Sequence, residues 1–233
     1  MTVNIAHLYP DLLNLYGDKG NILSLKYRLL WRGIEAAVRE YKVEEDIDFE
    51  NTDIIYIGGG TDKEQTVTLK RLLEMKEQLV SFVENGGTVI GVCGGYHILG
   101  KQFVTENETL DGLGILNITT KKSDKRYVGN VILDTDFLDM PIVGFENHST
   151  VTETGDLKPL GKVTFGNGVT EGVIYKNVLG TNLHGPLLPK NPKLCDYILQ
   201  KTLENKNSEV TLTPLNDDIE NDANNYIINR FIK

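Results

Sequence analysis

Residues 88–99 read Thr-Val-Ile-Gly-Val-Cys-Gly-Gly-Tyr-His-Ile-Leu, and this stretch decides the predicted fold. Its apolar first part predicts a buried strand, and the residues after the paired glycines favour a helix. Cys93 therefore falls at a sharp strand-to-helix turn, where the neighbouring glycines leave room for a strained backbone. Such a turn presents its central side chain to a reacting atom, so the pattern predicts a nucleophilic thiol. A buried, inert cysteine in a glycine-rich turn is the alternative.

The first half of the chain alternates short apolar strands with amphipathic helices. Strands are predicted over 3–5, 34–41, 53–57 and 88–92, and helices over 22–32 and 64–84. This alternation is typical of an α/β fold with a mostly parallel, flavodoxin-like central sheet flanked by helices. Ligands bind such sheets at the carboxyl ends of the strands, and both glycine clusters, Gly58–Gly60 and the one around Cys93, lie there.

The second half is richer in short strands. They are predicted over 114–118, 127–133, 142–145, 162–165, 173–175 and 178–181, followed by helices over 192–203 and about 216–232. The last helix is acidic, which is typical of a solvated face or of a docking surface. The chain contains no repeat, low-complexity segment or obvious linker, so we expect one domain over residues 1–233.

Composition excludes several classes of function. The formal net charge of −9 argues against a nucleic-acid partner, which requires clustered Lys and Arg. The two cysteines lie far apart in sequence, so neither a disulfide framework nor a metal site is predicted. The N-terminus lacks the pattern of a signal peptide, and no apolar run reaches the roughly 18–20 residues of a membrane span. We therefore expect a soluble, cytoplasmic protein.

A thiol nucleophile needs a base, and the chain has four histidines. His184 follows a predicted strand within a Gly/Pro turn, from which its side chain can lean over a pocket. His97 lies one helical turn after Cys93, which suits a pocket residue better than the base. His7 at a strand end and His148 in a polar turn are expected to be structural. On spacing alone, both a catalytic and a structural role stay open for His184.

Two segments, residues 91–100 and 180–185, together resemble class I (triad-type) glutamine amidotransferases of the branch typified by cobyric acid synthase. In that branch the cysteine motif reads Gly-x-Cys-Gly-Gly-Tyr-Gln and the histidine motif reads Gly-Thr-x-x-His-Gly. Residues 8–21 and 57–60 resemble more narrowly the GatD-type glutaminase subunits of lipid II isoglutaminyl synthases. The resemblance covers most of the chain in matching order and is weakest after about residue 203.

The resemblance implies hydrolysis of L-glutamine. Cys93 would attack the side-chain carboxamide and form a γ-glutamyl thioester, with His184 transferring the protons. The tetrahedral oxyanion would be stabilised by the backbone N–H of Gly94 and by one from the turn at Gly59 and Gly60.

Three further positions bear on the site. Arg126 falls where the isoglutaminyl synthase branch places a glutamine-binding arginine, although its basic run could also be a solvated loop. His97 replaces the usual glutamine of the family and is a predicted substrate contact. Pro186 replaces a glutamate that orients the histidine in many class I members. The missing acid implies either a Cys–His dyad or a carboxylate from elsewhere, which in this branch is thought to come from the partner ligase.

Ammonia released into neutral water is protonated and no longer nucleophilic, so we expect a partner that receives it directly. The chain lacks the Gly-x-x-x-x-Gly-Lys-Ser/Thr signature of an ATP site. No cofactor is therefore expected here, and ATP is expected on the partner. The resemblance implies a Mur-ligase-like synthetase that amidates the D-glutamate of lipid II to D-isoglutamine in peptidoglycan synthesis.

Three alternatives stay open on the sequence. The first is a glutaminase that serves another amide-forming synthetase, such as one in corrinoid amidation. The second is a cysteine hydrolase of similar fold, and the third is a non-catalytic scaffold subunit.

Overall fold

A computed structural model describes residues 1–15, 17–104, 109–206 and 209–232. Its strands are β1 (Thr2–Leu8), β2 (Glu35–Tyr41), β3 (Ile54–Ile57), β4 (Thr88–Val92), β5 (Gln102–Val104), β6 (Thr109–Asp111), β7 (Thr119–Asp134), β8 (Ile142–Glu153), β9 (Gly161–Phe165), β10 (Thr170–Glu171), β11 (Val173–Tyr175) and β12 (Val178–Thr181). Its helices are α1 (Lys19–Leu30), α2 (Asp62–Glu74), α3 (Lys76–Glu84), α4 (Gly94–Ile98), α5 (Leu187–Lys190), α6 (Pro192–Asn205) and α7 (Asp218–Phe231).

The central sheet has the strand order β11-β12-β4-β3-β1-β2 within the described residues. Its neighbours run parallel except for the edge pair of β11 and β12, so the predicted parallel α/β sheet is confirmed. The carboxyl ends of β3, β4 and β12 lie side by side. As a result the sheet brings together the two glycine clusters and the segment that leads to His184.

Apolar residues cover both faces of this sheet. On one face the side chains of α1 and α6 form a buried cluster with alternate residues of β1, β3 and β4. On the other face α2 and α3 pack against the remaining residues of the same strands. Burial on both faces explains why β3 and β4 are continuous apolar runs, with every residue buried.

A second sheet carries the other strands. In it β7 pairs with β8 and β9, while β5 and β6 extend it at one edge. The strands predicted at 127–133 and 142–145 are confirmed but are much longer, because polar residues continue the β7–β8 ribbon at the surface. His148 therefore lies on a strand, and the prediction of a polar turn there was wrong.

Two other predictions need correction. The helix predicted over 64–84 is two helices, because the backbone at the buried Met75 leaves the helical region (φ −110°, ψ 15°). Residues 114–118 form no strand. The N–H groups of Gly114 and Leu116 instead donate to the carbonyls of Gly100 and Leu99, directly after α4. This segment therefore supplies hydrogen-bond donors to carbonyls at the C-terminal end of that helix.

A buried ion-pair network fixes α1, which begins directly at the site described below. The Arg28 guanidinium donates two hydrogen bonds to Asp196 of α6 at 2.7 Å and two to Asp217, which precedes α7, at 2.7 and 2.8 Å. Only 3% of the Arg28 side chain is exposed. The paired, forked geometry makes this network a strong link between α1 and the C-terminal helices.

We expect Arg28→Met to lower the free energy of unfolding by about 3 kcal/mol, because Asp217 would stay largely buried without its cation and Asp196 would keep only its ion pair with Arg32. Urea denaturation measures the change. Lys19→Met on the same helix is the control, since Lys19 pairs with Glu40 at an exposed position and such pairs stabilise little. Equal effects of the two substitutions would contradict the role given to the network.

Candidate active site

Cys93 occupies a strained turn between β4 and α4. Its backbone has φ +51° and ψ −111°, a conformation that L side chains rarely adopt. The turn requires close backbone packing, because a Cβ on Gly95 would lie 2.1 Å from the carbonyl oxygen of Ile57. The strand-to-helix turn predicted from the sequence is therefore present, and glycine at position 95 is a steric requirement.

The thiol lies at the wall of a cavity of about 520 Å³. The cavity is lined by the turn after β3, the start of α2, the α4 helix and the β7–β8 ribbon. Of the predicted site residues, the lining includes Gly60, Cys93, His97 and Arg126. Cys93 is mostly buried, with 9% of its surface exposed, but it has an open route to a ligand.

The surroundings keep the Cys93 thiol neutral. Burial, followed by the negative charge of Asp18, raises the pKa of the thiol to about 12. The Gly94 N–H donates to the sulfur and opposes this rise. Because the thiol is protonated at neutral pH, a nucleophilic attack from this site needs a base.

His184 follows β12, which pairs with β4 so that the Cys93 N–H donates to the Thr181 carbonyl at 2.7 Å. The His184 N–H donates to the carbonyl of Phe145 at 2.9 Å, and the imidazole lies against the Phe145 ring with centroids 5.9 Å apart. Burial is the main cause that lowers the pKa of the imidazole to about 4, so the ring is neutral and can accept a proton. The side chain is buried behind the cavity wall and is not among its lining residues.

The glycine turn after β3 is held from both sides. The Gly59 N–H donates to Asp18 Oδ2 at 2.8 Å, and the Gly59 carbonyl accepts from Leu15 N–H at 3.0 Å. The Gly60 carbonyl accepts from Gln65 Nε2 at 2.8 Å. Within the described part of the chain, the Gly60 N–H donates no hydrogen bond. Of the two predicted oxyanion donors in this turn, Gly59 is therefore engaged and Gly60 is available.

Arg126 lies on β7, not in the solvated loop that was the alternative reading of its basic run. Its exposed guanidinium donates to Asn147 Oδ1 from Nε at 3.0 Å and from Nη2 at 2.7 Å. Lys122 from the same strand also lines the cavity. The cavity of this acidic protein thus has a cationic side, which suits the carboxylate of an amino acid.

His97 is buried between the cavity and Asn182. Its Nε2 lies 2.8 Å from Asn182 Oδ1, and its ring stacks on Phe103 with centroids 5.6 Å apart. Burial is the main cause that lowers its pKa to about 4, so the ring is neutral. Its position fits a pocket residue better than the base, although contact with a substrate stays a prediction.

Asp18 and Gln65 contact the site but were not predicted. Asp18 lies just before α1 and Gln65 lies in the first turn of α2, where each resembles an ordinary polar residue at a helix start. Their nearness to the site can be recognised only in the folded structure, where both helices begin at the carboxyl end of the sheet. Asp18 also falls within the segment 8–21 that resembles the family.

Two negative findings apply to the described residues only. They contain no group of three or more His, Cys, Asp or Glu side chains that could hold a metal ion. They also contain no helix of the length and apolarity that crossing a bilayer requires.

Comparison with known proteins identifies a family and several relatives that match most of this chain. Residues 4–192 match the model of the CobB/CobQ-like glutamine amidotransferase domain. The chain is 41% identical to the lipid II isoglutaminyl synthase (glutamine-hydrolyzing) subunit GatD of Staphylococcus aureus strain N315, over 98% of this chain and 96% of that protein. It is 37% identical to the GatD subunit of Streptococcus pneumoniae R6, over 93% of this chain and 86% of that protein.

A solved structure supports the fold. A crystal structure of a glutamine amidotransferase superimposes with a TM-score of 0.60 at 21% identity and covers 84% of this chain and 98% of its own. At that identity the likeness supports the fold alone.

Asp18 is expected to destabilise the folded protein at neutral pH. Burial raises the pKa of its carboxyl from 3.8 to about 6, so its contribution to stability is full below pH 4 and is lost as the pH rises through 6. In Asp18→Asn, which cannot ionise, the free energy of unfolding relative to wild type should increase by about 2–3 kcal/mol between pH 4 and pH 7.5.

Urea denaturation at the two pH values measures this difference. Asp11→Asn is the control, because Asp11 is exposed and precedes the same helix. A relative stability of Asp18→Asn that does not change with pH would show that the carboxyl of Asp18 ionises normally in the folded protein.

Proposed function

The chain belongs to the CobB/CobQ-like glutamine amidotransferase family, and from this premise we propose that it is the glutaminase subunit of a lipid II isoglutaminyl synthase. Similarity over nearly the whole length of two GatD subunits supports the assignment. The observation that carries it is a single cavity lined by Cys93 at its strained turn, by Gly60, whose N–H donates no hydrogen bond within the described residues, and by Arg126.

The reaction begins with proton transfer from the Cys93 thiol to the neutral imidazole of His184. The sulfur attacks the carboxamide carbon of L-glutamine and forms a tetrahedral intermediate. His184 then donates the proton to the leaving nitrogen, so that ammonia departs and a γ-glutamyl thioester remains. A water molecule, deprotonated by His184, attacks the thioester and releases glutamate and the Cys93 thiol. With its pKa lowered to about 4, the His184 imidazole is in the neutral form that can accept a proton, and the same shift makes it a weaker base than an imidazole whose pKa lies near 7.

The oxyanion of the tetrahedral intermediate requires donors that are already in position. The Gly94 N–H already points to the sulfur of the neighbouring Cys93, and the Gly60 N–H is the available donor of the glycine turn. Removal of one such donor typically raises the barrier by about 2.7–4 kcal/mol. The Gly59 N–H could join them only by giving up its bond to Asp18.

The substrate carboxylate is assigned to Arg126. The guanidinium lies at the cavity and can exchange its bonds to Asn147 for a bidentate interaction with a carboxylate. His97, which lines the same cavity one helical turn after the thiol, would contact the rest of the amino acid.

A second subunit is needed to use the ammonia. We propose that it is a Mur-ligase-like synthetase that uses ATP to activate the D-glutamate carboxyl of lipid II and amidates it to D-isoglutamine. Pro186 stands where many relatives have an orienting glutamate, so an acid from this partner would complete the site. We propose that the complex acts in the cytoplasm. We propose no cofactor for the reaction of this chain.

Cys93→Ala and His184→Ala should each abolish glutamine-dependent amidation by the complex, with a fall of at least ~10³-fold in rate. Amidation from added ammonium salts should be unchanged, because the partner carries out that step. The two activities are measured by mass spectrometry of the lipid II product. Cys195→Ala is the matched control, because Cys195 is buried against α1, away from the cavity.

The possible outcomes separate the candidate functions. Loss of both activities would contradict the separate roles of the two subunits. Full glutamine-dependent activity in Cys93→Ala would support a scaffold subunit, and amidation of a corrinoid instead of lipid II would support the other synthetase partner.

Arg126→Ala should raise the KM for glutamine by about 10–100-fold with a smaller change in kcat, because it removes charge-assisted hydrogen bonds to the substrate carboxylate. Steady-state assay of glutamate release measures both constants. Lys121→Ala is the control, since Lys121 is exposed on the same strand and pairs with Glu153. An unchanged KM in Arg126→Ala would exclude Arg126 as the carboxylate ligand.

A further inference from the structure

We propose that Asp18 is a positioning residue for the glutaminase reaction, which holds the Gly58–Gly60 turn in place beside Cys93. The proposal rests on the proposed function, since it concerns the same reacting thiol. It assigns a role to a buried charged group that the reaction steps do not use.

Both carboxylate oxygens of Asp18 accept a hydrogen bond from a neighbouring group. Its Oδ2 accepts the Gly59 N–H at 2.8 Å, and its Oδ1 accepts the phenol O–H of Tyr56 at 2.9 Å. The residue is 1% exposed, and no Lys or Arg of the described chain pairs with it. A carboxylate buried without a cation is costly, so its retention needs a compensating role.

The anchor point is immediately adjacent to the thiol. A Cβ placed on Gly59 would lie 3.3 Å from the Cβ of Cys93 and 3.7 Å from Oδ2 of Asp18. The main chain at Gly59 is thus fixed between the carboxylate of Asp18 and the turn at Cys93. With the Gly59 N–H bound by Asp18, the next N–H, that of cavity-lining Gly60, donates no hydrogen bond within the described residues.

The same network extends toward the segment that carries the base. The Tyr56 phenol oxygen accepts from Asn21 Nδ2 at 2.7 Å, and Asn21 Oδ1 accepts the Leu188 N–H at 2.7 Å. Leu188 lies in the short helix that follows the turn of His184. Asp18 is therefore part of one buried chain of hydrogen bonds that links the glycine turn to the histidine segment.

The charge of Asp18 also acts on the sulfur. After burial, this charge is the largest cause that raises the pKa of Cys93, ahead of the charges of Glu171 and Asp62. Removal of this charge should make the thiolate easier to form, even if the turn stays in place. This effect separates a carboxylate beside the reacting thiol from a residue that serves only folding.

The test compares Asp18→Ala and Asp18→Asn with Asp11→Asn, all in the complex with the partner subunit. Asp18→Ala removes the acceptor of the Gly59 N–H, so kcat for glutamate release should fall by about 10²-fold, since small displacements near reacting groups have effects of this size. KM should change by less than about threefold, because the contacts of the substrate are kept. Asp18→Asn keeps an acceptor for Gly59 and should restore kcat to within about tenfold of wild type.

The second readout is the pH dependence of iodoacetamide alkylation of Cys93, followed by peptide mass spectrometry. In Asp18→Asn the profile should move to lower pH by about one unit, and in Asp11→Asn it should not move. If Asp18→Ala does not fold, Asp18→Asn carries the test through this profile.

Wild-type kcat in both Asp18 variants would overturn the proposal, as would an alkylation profile in Asp18→Asn identical to that of Asp11→Asn. An inactive wild-type complex would overturn the proposed function instead. In that case a shifted profile would still support the link between Asp18 and Cys93, and an unshifted one would overturn it.

Discussion

The whole site depends on the close packing of the Cys93 turn against the end of the neighbouring strand β3. The turn has a positive φ at a residue with a side chain, and this conformation persists because Gly95 packs directly on the carbonyl of Ile57. The contact places the thiol, the Gly94 N–H and the glycine turn of β3 within one small region. The helix α4 and the cavity above it follow from that placement.

Charge and burial then set the state of the reacting groups. The Cys93 thiol and the His184 imidazole are both neutral in this environment, which are the protonation states from which the proposed proton transfer would start. Asp18 opposes formation of the thiolate while it holds the Gly59 main chain. The fold thus holds the thiol in position in its neutral form and does not stabilise a thiolate in the free protein. The thiol would become reactive when substrate and partner are bound.

Patterns that depend on burial were the ones that the sequence predicted well. The apolar runs of β3 and β4 predicted a buried parallel sheet, and the Gly-x-Cys-Gly-Gly pattern predicted a strand-to-helix turn at Cys93; the structure contains both. The second sheet was harder, since the exposed part of the β7–β8 ribbon is held by strand pairing and has a polar sequence. Asp18 and Gln65 were missed for a related reason, because their roles arise only when distant segments meet at the carboxyl end of the sheet.

The central claim is that the sulfur of Cys93 reacts with a glutamine bound in this cavity. Incubation of the complex with an electrophilic glutamine analogue, followed by peptide mass spectrometry, tests it most directly. The account predicts one covalent adduct, on Cys93, that excess L-glutamine prevents and that other amino acids do not prevent. An analogue that leaves Cys93 unmodified, or that modifies it equally in the presence of L-glutamine, would contradict the account.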